Sequence, residues 1–131
     1  MKPYFNNRIV YLGERSDIPE LLARADGFCL PSIWEGLPVT LLEALSVGCI
    51  PICSPVGGII NVVVDGYNGF LSKSYEEDDY YQLLRRILSM DSKDISIIKQ
   101  NCFDSFSNYS IEKCSSKYIS YFKRLIHERF S

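Results

Sequence analysis

Two carboxylates, Glu35 and Glu43, flank the seven-residue stretch Gly36-Leu37-Pro38-Val39-Thr40-Leu41-Leu42. Pro38 reads as the start of a helix. The backbone N–H groups of Val39, Thr40 and Leu41 would then have no partner inside that helix. Such an end, with the helix dipole behind it, suits a phosphate group. Gly36 carries no Cβ and would let a ligand come close to the backbone. On the helical wheel Leu41, Leu42 and Leu45 share one face, the expected core face, and Glu43 points away from its middle. Its carboxylate is then free to accept hydrogen bonds from ribose or sugar hydroxyls. Glu35 sits in the preceding loop and would reach the other side of the same phosphate site, again toward hydroxyls. Each residue also has a plainer reading. A lone Glu on a helix is usually solvated, Trp34 is more often packing than a ligand platform, and Gly57-Gly58 is compatible with a simple tight turn. Neither GxGxxG nor GxxxxGK[ST] occurs, so no motif supports dinucleotide or P-loop binding.

The elements that must position these residues follow from the local pattern. Ile9–Leu12 reads as a buried strand ending at Gly13. Asp17 and Glu20, with Pro19 between them, form a capping-box signature for a helix reaching about Ala25. Gly27–Leu30 is a second strand. The helix opened by Pro38 should end at Val47, with Gly48 as its stop. A third strand covers Cys49–Ser54, although Pro51 demotes its first half. Pro55-Val56-Gly57-Gly58 leads into a short helical or irregular piece through Val64. Asp65-Gly66-Tyr67-Asn68-Gly69 is dense in turn residues, and Gly69-Phe70-Leu71 is a last short strand. Beyond residue 73 the pattern is helical. Ser74 and Glu77 suggest a second capping box, acids fill the first turn, and Arg85-Arg86 lie near the end. Asp94–Phe103 is a further helix. The last helix starts near Ser110, with Ile111, Cys114, Tyr118, Phe122, Leu125 and Ile126 at spacings of three and four.

Alternating strands and helices in the first seventy residues predict an α/β fold: a parallel, Rossmann-like sheet with helices on its faces and a helical C-terminal end. Ligands bind such sheets at the carboxyl ends of the strands. The loops at Gly13, at Ser32–Pro38 and at Ser54–Gly58 would all lie on that edge. The expected organisation is one domain over 1–131, with residues 1–73 as the α/β part and 74–131 as the helical part.

Composition agrees with an ordinary globular domain: 131 residues, 47% hydrophobic and 23% charged, with a net charge of −2. No basic run points to nucleic acid. No apolar stretch is long enough to span a bilayer, and Met1–Asn6 shows no signal-peptide core. The expected location is therefore cytoplasmic, with peripheral attachment to the inner face of a membrane as the extension of that reading. The five cysteines are odd in number and lack a CxxC; Cys29, Cys49 and Cys53, in apolar runs, read as reduced core residues. The single histidine, His127, lies far from any of the paired ligands that a metal site needs.

The block Pro31-Ser32-x-x-Glu35-Gly36-Leu37-Pro38-x-x-Leu41-Leu42-Glu43-Ala44 resembles the signature of the retaining, GT-B-fold glycosyltransferases of family GT4, the glycosyl transferases group 1. Val10–Gly13, Asp17–Asp26, Ser46–Ile52, Val56–Ile59, Asp65–Leu71 and Phe106-Ser107 are similar to other segments of that family, so the resemblance runs from about Ile9 to Ile126. It implies that the chain corresponds to the C-terminal, nucleotide-sugar-binding domain. Glu35, the catalytic candidate, would contact the donor sugar where its anomeric centre reacts. Glu43 would bind the ribose hydroxyls. Gly36, Leu37 and Pro38 would line the sugar pocket, and the Thr40 and Leu41 amides would bond the diphosphate. Stabilising the departing nucleoside diphosphate is a large part of such catalysis. The resemblance also implies that no cofactor and no metal are needed.

In that family a separate N-terminal domain supplies the acceptor site and usually a histidine. Two further strand–helix units carry a Gly-rich turn and an Arg/Lys pair for the diphosphate. None of these can be assigned here, and Asn61 stands where the family often has Glu. The resemblance therefore implies a truncated domain, inactive without its missing part. Glycan or glycolipid acceptors would be reached only together with that N-terminal domain. Between Ile9–Leu12 and Gly27–Leu30 the family places the absent strands, so either the first strand shifts across or an open edge remains, available for self-association. The alternatives are a non-catalytic remnant or interaction module of the same fold, and a related GT-B epimerase or phosphorylase domain.

Overall fold

The computed structural model describes residues 8–130. The Met1–Asn6 segment, read above for a signal peptide, lies outside them. Three parallel strands, β1 (Gly27–Leu30), β2 (Ile50–Cys53) and β3 (Phe70–Leu71), form one sheet in that order. Between and after them come α1 (Ile18–Ala23), α2 (Val39–Ser46), a 3-10 turn at Gly57–Asn61, α3 (Glu77–Leu88), α4 (Ser92–Phe106), a second 3-10 turn at Ser107–Tyr109 and α5 (Ile111–Phe130). Every strand precedes residue 72, and the chain beyond Ser74 is helical, as the sequence pattern predicts.

α2 is the element on which the core turns. Leu41 and Leu45 pack with Ile50, Ile52, Ile59, Val63 and Phe70, and with Ile98 and Cys102 of α4. Ala44 faces a second, smaller cluster with Leu22 and Cys49. The helix ends in a Schellman arrangement: Gly48, at φ 71°, donates to Leu45 O at 3.1 Å and Cys49 donates to Ala44 O at 2.9 Å. That turn feeds the chain straight into β2. α3 is tied to the sheet by Tyr80, whose buried hydroxyl donates to Ile52 O at 2.6 Å. Burial pushes the Tyr80 phenol above its ordinary pKa, so the hydroxyl remains a donor. Asn68 organises the turn before β3 from inside, accepting from Val64 N at 2.7 Å and donating to Val62 O at 3.0 Å.

Several expectations are corrected. Ile9–Leu12 is no strand of this sheet. Its four side chains are between 50% and 76% exposed, and β1 is the sheet's edge. Composition alone does not make a strand: its backbone groups must be taken up by a neighbour, and the outer edge of β1 does not pair with them among the described residues. It follows that the Gly13 loop is not at the carboxyl edge of a strand. Pro51 does not weaken β2; it lies buried in the central strand, opposite Phe28. Ile50 N and Ser54 N donate to the β1 side, at Asp26 O and Leu30 O. By alternation the Pro51 nitrogen faces β3, whose pairing starts only at Ile52, so no ladder bond is lost. The ring rests against Gly69, where a Cβ would stand 2.7 Å from Pro51 Cγ.

Neither capping box forms. Asp17 is the N-cap of α1 but makes no cap bond, because Arg15 Nε holds its carboxylate at 2.7 Å. Ser74 lies two residues before the N-cap of α3, Glu76; it accepts from Glu76 N and donates to Asp79 at 2.7 Å. α4 is longer than expected at both ends; its start moves forward because Asp91 caps it by accepting from Lys93 N at 2.7 Å. Cys29 is exposed on β1, whereas Cys49, Cys53 and Cys102 are buried, and all five cysteines are free.

Two predictions follow from this arrangement. Alternation along β1 turns the Gly27 and Cys29 N–H groups away from β2, and these amides should exchange with solvent faster than those of Phe28 and Leu30 in a hydrogen-exchange map. Burial pushes the Cys49 thiol up to about 11 and the Cys53 and Cys102 thiols up to about 12. A raised pKa leaves less thiolate at a given pH, so at mildly alkaline pH a thiol reagent should label Cys29 quickly and these three only on unfolding, as peptide mapping would read.

Candidate functional site

The carboxyl ends of β1 and β2 carry the two loops that matter, and the fold joins them backbone to backbone. The Gly58 N–H donates to Gly36 O at 2.7 Å. Gly57 takes a positive φ of 52°, and a Cβ added there would land on the Glu35 carbonyl oxygen. A Cβ on Gly58 would stand 2.7 Å from Gly36 O and 3.2 Å from Leu37 Cβ. No side chain fits between the loops. The Gly57-Gly58 pair is thus more than a tight turn: it clasps the Glu35–Leu37 segment and sets its height above the sheet. A Gly-Gly after a strand was legible in the sequence, but its partner twenty-two residues earlier was not.

From that clasp the chain enters α2. Pro38 is its N-cap in an extended conformation (φ −69°, ψ 128°), without a side-chain cap bond and without an acid in the first turn. The Leu41 N–H already donates to Pro38 O at 3.1 Å, and the Leu41 side chain is fully buried. The Val39 and Thr40 N–H groups meet no acceptor among the described residues. This end is open, as a phosphate site requires. Around Gly36 a Cβ would meet nothing within 4 Å, so the space beside its backbone is free of protein.

The two carboxylates differ in their support. Glu35 is half-buried and accepts a hydrogen bond from Ser32 Oγ at 3.1 Å. Ser32, part of the family block but given no role in the sequence reading, thereby orients the Glu35 carboxylate. Glu43 is also half-buried, in the second turn of α2. Its carboxylate makes no hydrogen bond or ion pair among the described residues, while its backbone oxygen accepts from Ser46 Oγ at 2.7 Å. A half-buried carboxylate without a protein partner is suited to accept hydrogen bonds from a ligand. Trp34, next to Glu35, is 85% exposed and Ile33 is 74% exposed, so neither packs into the core. No group of three or more His, Cys, Asp or Glu could hold a metal ion among the described residues.

The clasp makes a paired prediction. Gly57→Ala drives a methyl group into the Glu35 backbone and should lower stability by about 1–3 kcal/mol. Gly36→Ala adds a methyl to open space and should change stability by less than about 0.5 kcal/mol. Urea unfolding of the two variants measures both.

Comparison with known proteins bears on the same segment. The family model for glycosyl transferases group 1 matches residues 4–101. The Escherichia coli UDP-Gal:alpha-D-GlcNAc-diphosphoundecaprenol alpha-1,3-galactosyltransferase is 38% identical over 101 residues, 77% of this chain and 26% of that protein. The Campylobacter jejuni N,N'-diacetylbacillosaminyl-diphospho-undecaprenol alpha-1,3-N-acetylgalactosaminyltransferase is 31% identical over 116 residues, 88% of this chain and 31% of its own length. The chain thus spans about a quarter to a third of these relatives. Among solved structures, Anabaena HepE in complex with UDP and glucose superposes with a TM-score of 0.75 at 26% identity, covering 88% of this chain and 32% of that one. The C-terminal domain of the group 1 glycosyl transferase LpcC from Francisella tularensis gives 0.65 at 28% identity, covering 79% and 53%. The sheet is that of a GT-B C-terminal domain, the matched span contains Glu35, Glu43 and the Gly57-Gly58 loop, and the chain belongs to the glycosyl transferases group 1 family.

Proposed function

We propose that this chain binds the nucleoside diphosphate sugar of a retaining glycosyl transfer, without a metal, at the start of α2. The observation that carries the reading is an uncapped helix end beside two half-buried carboxylates, one of them without a protein partner. The Val39 and Thr40 amides would take the diphosphate. The Leu41 amide, engaged with Pro38 O, would contribute only if that first-turn bond gave way. Glu43 would hold the ribose hydroxyls. Glu35, oriented by Ser32, would meet the sugar next to its anomeric carbon, and Gly36, Leu37 and Pro38 would line its pocket. As the glycosidic bond to phosphate lengthens, negative charge builds on the departing diphosphate, and preoriented amides at a helix end stabilise that charge. The bacterial relatives are named for acceptors on diphosphoundecaprenol. A lipid-linked glycan is therefore the acceptor class proposed here, reached together with a domain of the kind that completes those longer proteins.

The chain has one tryptophan, Trp34, adjacent to Glu35. Titration with UDP-, GDP- and ADP-sugars should change its fluorescence for at least one donor. Glu43→Ala should weaken that binding about 10- to 100-fold, the worth of a hydrogen bond to a charged group. Gly36→Ala should weaken it comparably while leaving the fold intact. Absence of binding to every donor at millimolar concentration would instead favour a non-catalytic member of the same fold.

A further inference from the structure

Ser54 is the first residue beyond β2, at the carboxyl edge where both loops of the site begin. Its backbone carries the pairing with β1 one step further: its N–H donates to Leu30 O at 3.2 Å. Its carbonyl then accepts from Val56 N at 3.0 Å, which bends the chain toward the Gly57-Gly58 clasp. Continued parallel pairing would have given that carbonyl to the Ser32 N–H. The Ser32 N–H is left without an acceptor among the described residues. The Ser54 side chain is fully buried, and its Oγ makes no hydrogen bond; no other buried side-chain N or O among the described residues stands so. The other buried polar side chains, Asn68 and Ser72, both bond to backbone groups. A buried hydroxyl without a partner weakens the fold, and alanine in its place would avoid that cost. Two unmatched groups, the Ser54 hydroxyl and the Ser32 N–H, thus belong to neighbouring chain segments, about one strand spacing apart.

We infer that Ser54 is a positioning residue for Glu35 whose hydroxyl finds its partner only in the donor-bound protein, where Ser54 Oγ accepts from the Ser32 N–H. Solvent does not reach Ser54, so the donor does not touch it directly. The donor acts on the Pro31–Leu37 segment instead. With the diphosphate on the Val39 and Thr40 amides and the sugar against Glu35, that segment settles over the end of β2 and the two unmatched groups meet. Ser32 holds the Glu35 carboxylate through its own hydroxyl, so a bond to the Ser32 backbone steadies Glu35 beside the sugar. The inference rests on the donor reading above and adds to it the residue beneath the site that favours the occupied form. A hydroxyl that is unbonded when the site is empty and bonded when it is filled shifts the loop toward the filled arrangement by that difference.

Ser54→Ala tests it through two readouts of opposite sign. Removal of an unbonded hydroxyl should raise the urea midpoint of the donor-free chain. The same variant should bind donor about 5- to 10-fold more weakly, the worth of one hydrogen bond, in Trp34 fluorescence titrations with UDP-, GDP- and ADP-glucose. Ser32→Ala should weaken binding as well. The double variant should bind no more weakly than about the worse of the two single variants, because both hydroxyls act on one carboxylate. A residue with a structural role alone would lose stability and affinity together. A lowered urea midpoint for Ser54→Ala would show that the hydroxyl already has a partner in the empty protein, and overturns the inference. Donor binding by Ser54→Ala equal to that of the parent chain overturns it too, as do losses in the two single variants that simply add. If the parent chain binds none of the three nucleotide sugars, the donor reading itself fails and the inference falls with it.

Discussion

Two backbone segments touch at the carboxyl edge of the sheet, and the candidate site depends on how closely they do so. Gly58 donates to Gly36 O, while Gly57 leaves no room for even a methyl group beside the Glu35 carbonyl. Backbone this close can be built only from glycine on one side. The contact fixes where the Glu35 loop ends and therefore where Pro38 can start α2. Without it the loop from Pro31 to Leu37 would have mainly the Ser32–Glu35 bond to order it. The open helix end and the carboxylate next to it would then no longer be held in one place.

α2 answers to two demands at once. Its inner face must fill the core, and Leu41, Ala44 and Leu45 are fully buried there. A phosphate site there would need an N-terminus free of the protein's own side chains, and neither a capping residue nor an acid occupies it. A capped helix would be more stable by about 1 kcal/mol. The burial of three apolar residues and the Schellman turn at Gly48 hold the helix without that contribution. The candidate site thus lies at the end where local stabilisation has been left out.

The rest of the molecule is unevenly finished. The side toward α3 and α4 is closed, with Tyr80, Leu83, Ile98 and Cys102 buried against Ile52 and Phe70. Among the described residues the side toward β1 is open: β1 pairs only with β2, Cys29 is exposed, and the Ile9–Leu12 run lies outside the three-stranded sheet. α5 continues beyond the packed body with its apolar half in solvent.

Much of this was legible in the sequence because it is local. Gly27–Leu30 stands as β1, Gly48 stops α2, and α3 carries its acids first and its arginines last, since apolar runs, a positive φ and the helix dipole act within a few residues. The Glu35–Glu43 block, too, is contiguous, and it carried the family resemblance. Other features needed the tertiary structure, because each depends on a partner the local chain does not contain. Asp17 could cap α1 or pair with Arg15, and only the folded geometry chose the arginine. Pro51 is harmless because its nitrogen faces the side on which β3 has not yet begun to pair. Ile9–Leu12 has the composition of a strand, yet among the described residues it does not pair with the outer edge of β1. The Gly57-Gly58 clasp is a contact across twenty-two residues, and no pattern confined to either loop specifies it.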